Sequence, residues 1–209
     1  MKKLLLTIAI TMFGIYTFAQ YSTPGTGVNW TLDDLVDNSG GVVILETNGQ
    51  YTISQDLTIS TNDTVSIFNP EEINVADALL ITVNGTMLSD PQGGGIVFFK
   101  AQNNHYLGFR LDESPGSSFT STYFKKAGGI DLVYSDVEFI ACDFTEFNQE
   151  YSTGTVDLFH SSPLIQDCSF SDNEGPAVMS GANTESSPQI IGCEMTNNVT
   201  VNGNTPQVN

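Results

Sequence analysis

Apolar residues along this chain come in short runs separated by turn residues, and no helical period is sustained. The runs Val42–Leu45, Tyr51–Ile53, Leu57–Ile59, Val65–Phe68, Leu79–Val83, Ile96–Phe99 and Leu107–Leu111 each predict a short strand. Further on the pattern becomes a repeat: VEFIACDFTEFN (137–148), PLIQDCSFSDN (163–173) and PQIIGCEMTNN (188–198). The cysteines of the three stretches, Cys142, Cys168 and Cys193, lie 26 and 25 residues apart. A period of that length with strand-like units signals a solenoid.

Taking each cysteine as position zero fixes the register. Phe139, Ile165 and Ile190 stand three residues before it, and Phe144, Phe170 and Met195 two residues after. Alternation sends zero and plus two to one side, and plus one (Asp143, Ser169, Glu194) and plus three (Thr145, Ser171, Thr196) to the other. The odd spacing from minus three to zero requires a bend at minus one, where Ala141, Asp167 and Gly192 stand. Gly and Asp accept left-handed backbone there, and Ala fits less well. At plus five, Asn173 and Asn198 predict a second turn. Two strands and two bends per repeat describe one coil of a parallel β-helix, with the cysteines as rungs of a buried, inert ladder. Rungs bond as disulfides only when their Cβ vectors meet a specific geometry, and three cysteines leave at least one thiol free within the chain.

The other segments complete the plan. Residues 1–19 read as a signal peptide, with Lys2 and Lys3 before an apolar run and Thr17-Phe18-Ala19 before a cleavage point at Gln20. That run is too short for a membrane span, and no other candidate follows. Residues 20–40 form an N-terminal cap segment, in which Trp30–Asp37 carries helix-start chemistry. Thr31 and Asp34 make a capping box, and Trp30 and Leu35 a hydrophobic staple, so a short helix covers the open end of the solenoid. Residues 41–209 are the β-helix. Asn62-Asp-Thr and Asn84-Gly-Thr mark one corner in successive coils. Both match the N-glycosylation triplet, as do Asn29 and Asn198, but such polar corners suit turns. Near the end, Pro206 and Val208 restate Pro188 and Ile190, which predicts a fourth repeat cut off in mid-coil.

Charge narrows the partners. Without Lys2 and Lys3 the chain carries four basic against 24 acidic residues, a formal charge of −20. That disfavours nucleic acid and anionic membranes, which call for basic patches. Clustered carboxylates can bind calcium, yet no D-x-D-x-D-G loop occurs, so no cofactor is expected beyond that open calcium option.

These coils, Pro-x-Ile-x-x-Cys-x-Phe-x-x-Asn in outline, resemble the right-handed parallel β-helix repeats of the pectin-lyase-like superfamily. Leu80-Ile-Thr-Val-Asn-Gly-Thr and Tyr106-Leu-Gly-Phe-Arg-Leu look like entry coils of large exported β-helix proteins of the type IX secretion system. The resemblance covers residues 29–209 and implies an all-β, right-handed solenoid that is secreted or displayed on the cell surface. It also implies a choice between polysaccharide-cleaving enzymes and adhesive or binding surfaces. The polygalacturonase-like motifs are missing: the one Asp-Asp, Asp33-Asp34, lies in the cap helix, and Tyr follows His105, Ser follows His160 and Leu follows Arg110.

Three residues stand as loose catalytic candidates. Arg110 is the only arginine, and His160 lies near Asp157 in Val-Asp-Leu-Phe-His. Asp143 and Glu194 share an outward ladder but sit two rungs, about 10 Å, apart. Nothing near them raises a pKa, and Lys125-Lys126 reads as loop decoration beside a Gly-Gly turn. Tyr106, Phe109, Phe119, Tyr123 and Phe124 crowd one window and suit a core better than a sugar platform. The sequence therefore predicts a non-catalytic surface module for glycans, matrix or adhesion. The alternative is the N-terminal part of a lyase or glycoside hydrolase with its catalytic coils beyond residue 209.

Overall fold

Left-handed backbone at fixed places folds each repeat. In a computed structural model that describes residues 20–182, 184–199 and 207–208, Ala141, Asp167 and Gly192 adopt φ values of 51°, 53° and 66°. The bend at minus one is thus present in all three repeats, Ala141 included, although a non-glycine residue there costs about 1 kcal/mol. The second bend falls at plus four, on Glu146, Asp172 and Asn197, one residue earlier than the asparagines suggest. Those asparagines have a different task. Asn173 accepts the Phe147 amide and donates to the Phe144 carbonyl, and Asn198 repeats the pattern one coil on, so both hold the turn from inside.

The bends divide every coil into three strands, and the coils stack into a β-solenoid of about six turns. The first sheet contains Leu57–Ile59, Leu80–Val83, Gly108–Asp112, Ile130–Val133, Val156–Phe159 and Val178–Ser180 in parallel, beginning with the short strand Tyr21–Ser22. The second runs from Asn29–Trp30 through Thr64–Ile67 to Gln189–Ile191. The third runs from Glu194–Thr196 back through Tyr51–Ile53, which pairs antiparallel with Val43–Leu45. The strands expected before residue 112 all occur, within a residue or two of the expected bounds. Strands richer in polar residues, such as Glu72–Val75, Thr86–Ser89 and Ser118–Thr120, gave no apolar run and escaped the pattern.

Parallel register puts like residues on neighbouring rungs. Along the third sheet Ile73, Phe99, Phe124, Phe144, Phe170 and Met195 line up. The Phe99–Phe124, Phe124–Phe144 and Phe144–Phe170 rings stack 5.7, 5.3 and 4.5 Å apart and nearly parallel. Phe139, Ile165 and Ile190 form the facing ladder on the second sheet. Tyr106, Phe109, Phe119 and Phe124 belong to this core as expected; Tyr123 lies outside it, stacked on Phe98.

The cysteines sit at the corner between the second and third sheets rather than within strands. Cys142 and Cys168 are buried, Cys193 is half-buried, and none forms a disulfide. Their thiols donate to carbonyls of the coil before, Phe119, Phe139 and Ile165. The ladder is longer than its cysteines: Thr122 is the rung before Cys142, it bonds Ser89 at the end of the preceding second-sheet strand at 2.7 Å, and the bend residue before it, Ser121, is left-handed too. Thr145, expected outward, is buried against Ser171 of the next coil.

At the other end the capping box forms as expected: Thr31 caps the helix Leu32–Asn38 reciprocally with Asp34. Leu32, Leu35 and Trp30 are buried with the core. Thr64 and Thr86 pair, so Asn62-Asp-Thr and Asn84-Gly-Thr do share a corner. Asp63 is buried there and accepts the amides of Gly25, Gly27 and Val28 at 2.8–3.0 Å, fastening the N-terminal segment. Against the cost of burial, the Thr23 hydroxyl and then these amides hold its carboxyl at about 2. In the next coil a carboxylate is impossible, because a β-carbon on Gly85 would lie 2.3 Å from the Asp63 carbonyl oxygen.

Two sequence readings concern the chain's ends. The leader, residues 1–19, and Pro206 lie outside the described residues. Val208 is described, and it bridges Val178 in the first sheet, not Ile190 in the second. A repeat restarting at Pro206 is therefore out of register, since the first sheet follows the third in every coil.

Phe144 touches rings on both neighbouring rungs. Truncation in Phe144→Ala is expected to cost about 3–5 kcal/mol in chemical denaturation, and Phe144→Leu clearly less. Equal costs would show that stacking in this ladder is incidental to stability.

Candidate functional site

Outward positions of the first sheet form their own ladder: Thr58, Thr82, Arg110, Asp131, Asp157 and Met179. Strand alternation buries Leu111, Leu132 and Leu158 beside them, so the polar side chains have no choice but the outer face. The ladder floors a cleft of about 370 Å³ lined by Arg110, Asp131, Leu132, Val133, Asp157, Leu158 and Phe159. The structure thus brings together Arg110 and Asp157, which sequence treated separately, and places Asp131 between them.

Asp131 is the residue that sequence reasoning missed. Its carboxyl is pushed up to about 6, chiefly by burial and then by the charge of Asp157; a Ser152 hydrogen bond and Arg110 pull the other way. Asp157 is better supplied with donors. Its Oδ2 accepts from Thr153 Oγ1 at 2.5 Å, and from the Thr153 amide and Ser152 Oγ at 3.3 Å. Those donors come from the loop between Asp143–Thr145 and Val156–Phe159. Tyr151 of that loop reaches Arg110, and burial raises its phenol. Arg110 is already committed to Asp112, with Nη2 and Nε at 2.9 and 3.2 Å from one carboxylate oxygen.

Beyond the carboxylates lies an aromatic shelf. Tyr134 and His160 occupy equivalent corners of successive coils, both left-handed, with rings stacked 5.0 Å apart and parallel within 1°. Phe159 meets both edge-on at 5.5 and 4.6 Å. Tyr134 and Phe159 are 53% and 45% exposed, which is unusual for aromatic residues that could have packed inside. His160 therefore belongs to the shelf and not to a pair with Asp157.

The remaining candidates lie elsewhere. Asp143, Ser169 and Glu194 are in register on the third sheet, and Ser169 donates to Asp143. Lys125 ends a strand rather than decorating a loop, and it pairs with Glu146 at 2.9 Å. Asp33 accepts the Tyr51 hydroxyl at 2.7 Å, while Asp34 serves the cap. A second hollow, of about 470 Å³, lies on the third sheet beside Phe98 and Tyr123. Among the described residues no cluster of three or more His, Cys, Asp or Glu has the geometry to hold a metal ion.

Comparison with known proteins gives one match. The model of the right handed beta helix region matches residues 81–206, more than half of the chain. No curated protein and no solved structure matches. The matched span contains the cysteine ladder, the phenylalanine stack and the whole Arg110–Asp131–Asp157 cleft. The chain belongs to the family of proteins built on a right-handed β-helix region.

Proposed function

We propose that this protein is an exported, non-catalytic β-helix module that binds glycans in the cleft of the first sheet. The observation that carries the reading is the Tyr134–Phe159–His160 shelf, whose exposed Phe159 lines the same hollow as Arg110, Asp131 and Asp157. Pyranose rings offer an apolar C–H face and a rim of hydroxyls, and such a site answers both. On a glycan array the full chain is expected to bind a defined set of oligosaccharides, and Phe159→Ala to weaken that binding at least about tenfold. Absence of binding to every glycan would overturn the reading.

Export rests on the leader-like residues 1–19 and on the resemblance to type IX cargo. N-terminal sequencing of the protein recovered outside the cell is expected to begin at Gln20. An intact leader on cell-internal protein only would count against export.

Glycoside hydrolysis is the second reading, and one observation favours it. Asp131 and Asp157 stand on adjacent rungs, about 4.8 Å apart in backbone spacing. One carboxyl is raised, which suits an acid and a nucleophile in a retaining mechanism, where the groups lie ~5–5.5 Å apart. Release of reducing ends from a bound glycan, abolished in Asp131→Asn, would establish it in place of simple binding.

The Asp131–Asp157 pair has a stability signature of its own. A carboxyl whose pKa is higher in the folded than the unfolded state favours folding only while protonated. Its contribution is present below about pH 4 and is lost as pH rises toward about 6. Asp131→Asn is therefore expected to raise stability at pH 7.5 by about 1–2 kcal/mol after allowance for solvent screening, and to change it little at pH 4. Equal effects at both pH values would mean that the pair is not under strain.

A further inference from the structure

Resting on the glycan-binding reading, we propose that the cleft selects glycans bearing a protonated amino group, as on de-N-acetylated hexosamine units, over neutral or acidic ones. The argument is one of charge compensation along the ladders. Elsewhere on the outer faces, charges of one sign on neighbouring rungs have partners: Lys100 and Lys125 are adjacent, yet Lys100 pairs with Glu72 and Lys125 with Glu146. Asp143 is followed by Ser169, which donates to it. Asp131 over Asp157 is different. The only basic side chain lining their cleft is Arg110, and its ion pair is with Asp112.

Hydroxyl and amide donors satisfy part of Asp157 but bring no positive charge. The cleft thus holds two stacked carboxylates with a surplus of negative charge. A ligand ammonium placed between the rungs would relieve the repulsion and donate hydrogen bonds to both carboxylates, in a site where burial strengthens the attraction. The aromatic shelf beside it would take the apolar face of the same or the next sugar, and the negative ring faces favour a cation. The chain's overall charge of −18 adds long-range attraction for a polycation and repels polyuronates. An ammonium could also come from lysine side chains of a peptide, but the flat shelf of exposed rings suits pyranose faces.

The test measures binding of the full chain, by calorimetry in low salt at pH 7.5, to a glucosamine hexasaccharide, its N-acetylated counterpart, an oligogalacturonate and tetralysine. The expected result is that the glucosamine oligomer binds about tenfold or more tightly than the N-acetylated one, with oligogalacturonate and tetralysine weaker still. Asp131→Asn, expected to fold at least as well as the parent, should erase the amino preference, bringing the ratio of the two hexosamine affinities to about one. Phe159→Ala should weaken both hexosamine ligands. Equal affinity for the two hexosamine oligomers, or a preference unchanged by Asp131→Asn, overturns the proposal while glycan binding itself stands. Tetralysine binding as tightly as glucosamine hexasaccharide overturns it in favour of simple cation capture. Failure of all the glycans to bind overturns the glycan reading as well.

Discussion

Everything in this molecule depends on parallel pairing between successive coils, about 4.8 Å apart, which lays each residue over its counterpart one repeat away. Inside, that constraint is favourable. Phe on Phe and Leu on Leu fill the same cross-section at every level, so one solution to packing serves all the coils. Outside, the same constraint is costly where the counterparts carry like charges. Asp131 over Asp157 is the price of the register that stacks Phe144 over Phe170. The candidate site and the core are therefore two consequences of one rule, seen from opposite faces of the sheets.

The corners show how much freedom the rule leaves. Left-handed residues recur at the same three positions, yet their identities vary among Ser, Ala, Asp and Gly before the ladder corner, among Lys, Glu, Asp and Asn after the third-sheet strand, and among Glu, Tyr and His after the first-sheet strand. Backbone geometry is fixed by the pairing on either side, and the side chain only moderates its cost. What must be kept is the hydrogen bonding inside the corner. Thr122 and the three cysteines each set a small hydrogen-bonding group against the coil before, and Asn173 and Asn198 do the same at the next turn. Loops that leave the corners are free to vary in length, and the Gln149–Thr155 excursion uses that freedom to bring Tyr151 to Arg110 and Ser152 and Thr153 to Asp157.

Legibility in the sequence followed the strength of local patterning. The capping box at Thr31 and Asp34, the bend before each cysteine and the shared corner at Asn62 and Asn84 could be read because short-range chemistry dictates them. The rung before Cys142 could not, since Thr122 shares only a small donor with cysteine, not an identity. Asp131 was equally invisible. Its neighbours Ile130 and Leu132 mark an ordinary alternating strand, and nothing local says that the residue opposite it is another aspartate 26 positions away.

The sequence by itself determined that the chain would coil, where three of its coils would bend, and which side of each strand would be apolar. These are properties of residues within a few positions of one another. The tertiary structure alone decided which coil lies over which, and therefore that Arg110, Asp131 and Asp157 form one ladder beside Tyr134, Phe159 and His160. It also decided that Val208 joins the first sheet rather than the second. The physical reason is that inter-coil register depends on loops of unequal length between coils, whose sum no local pattern reports.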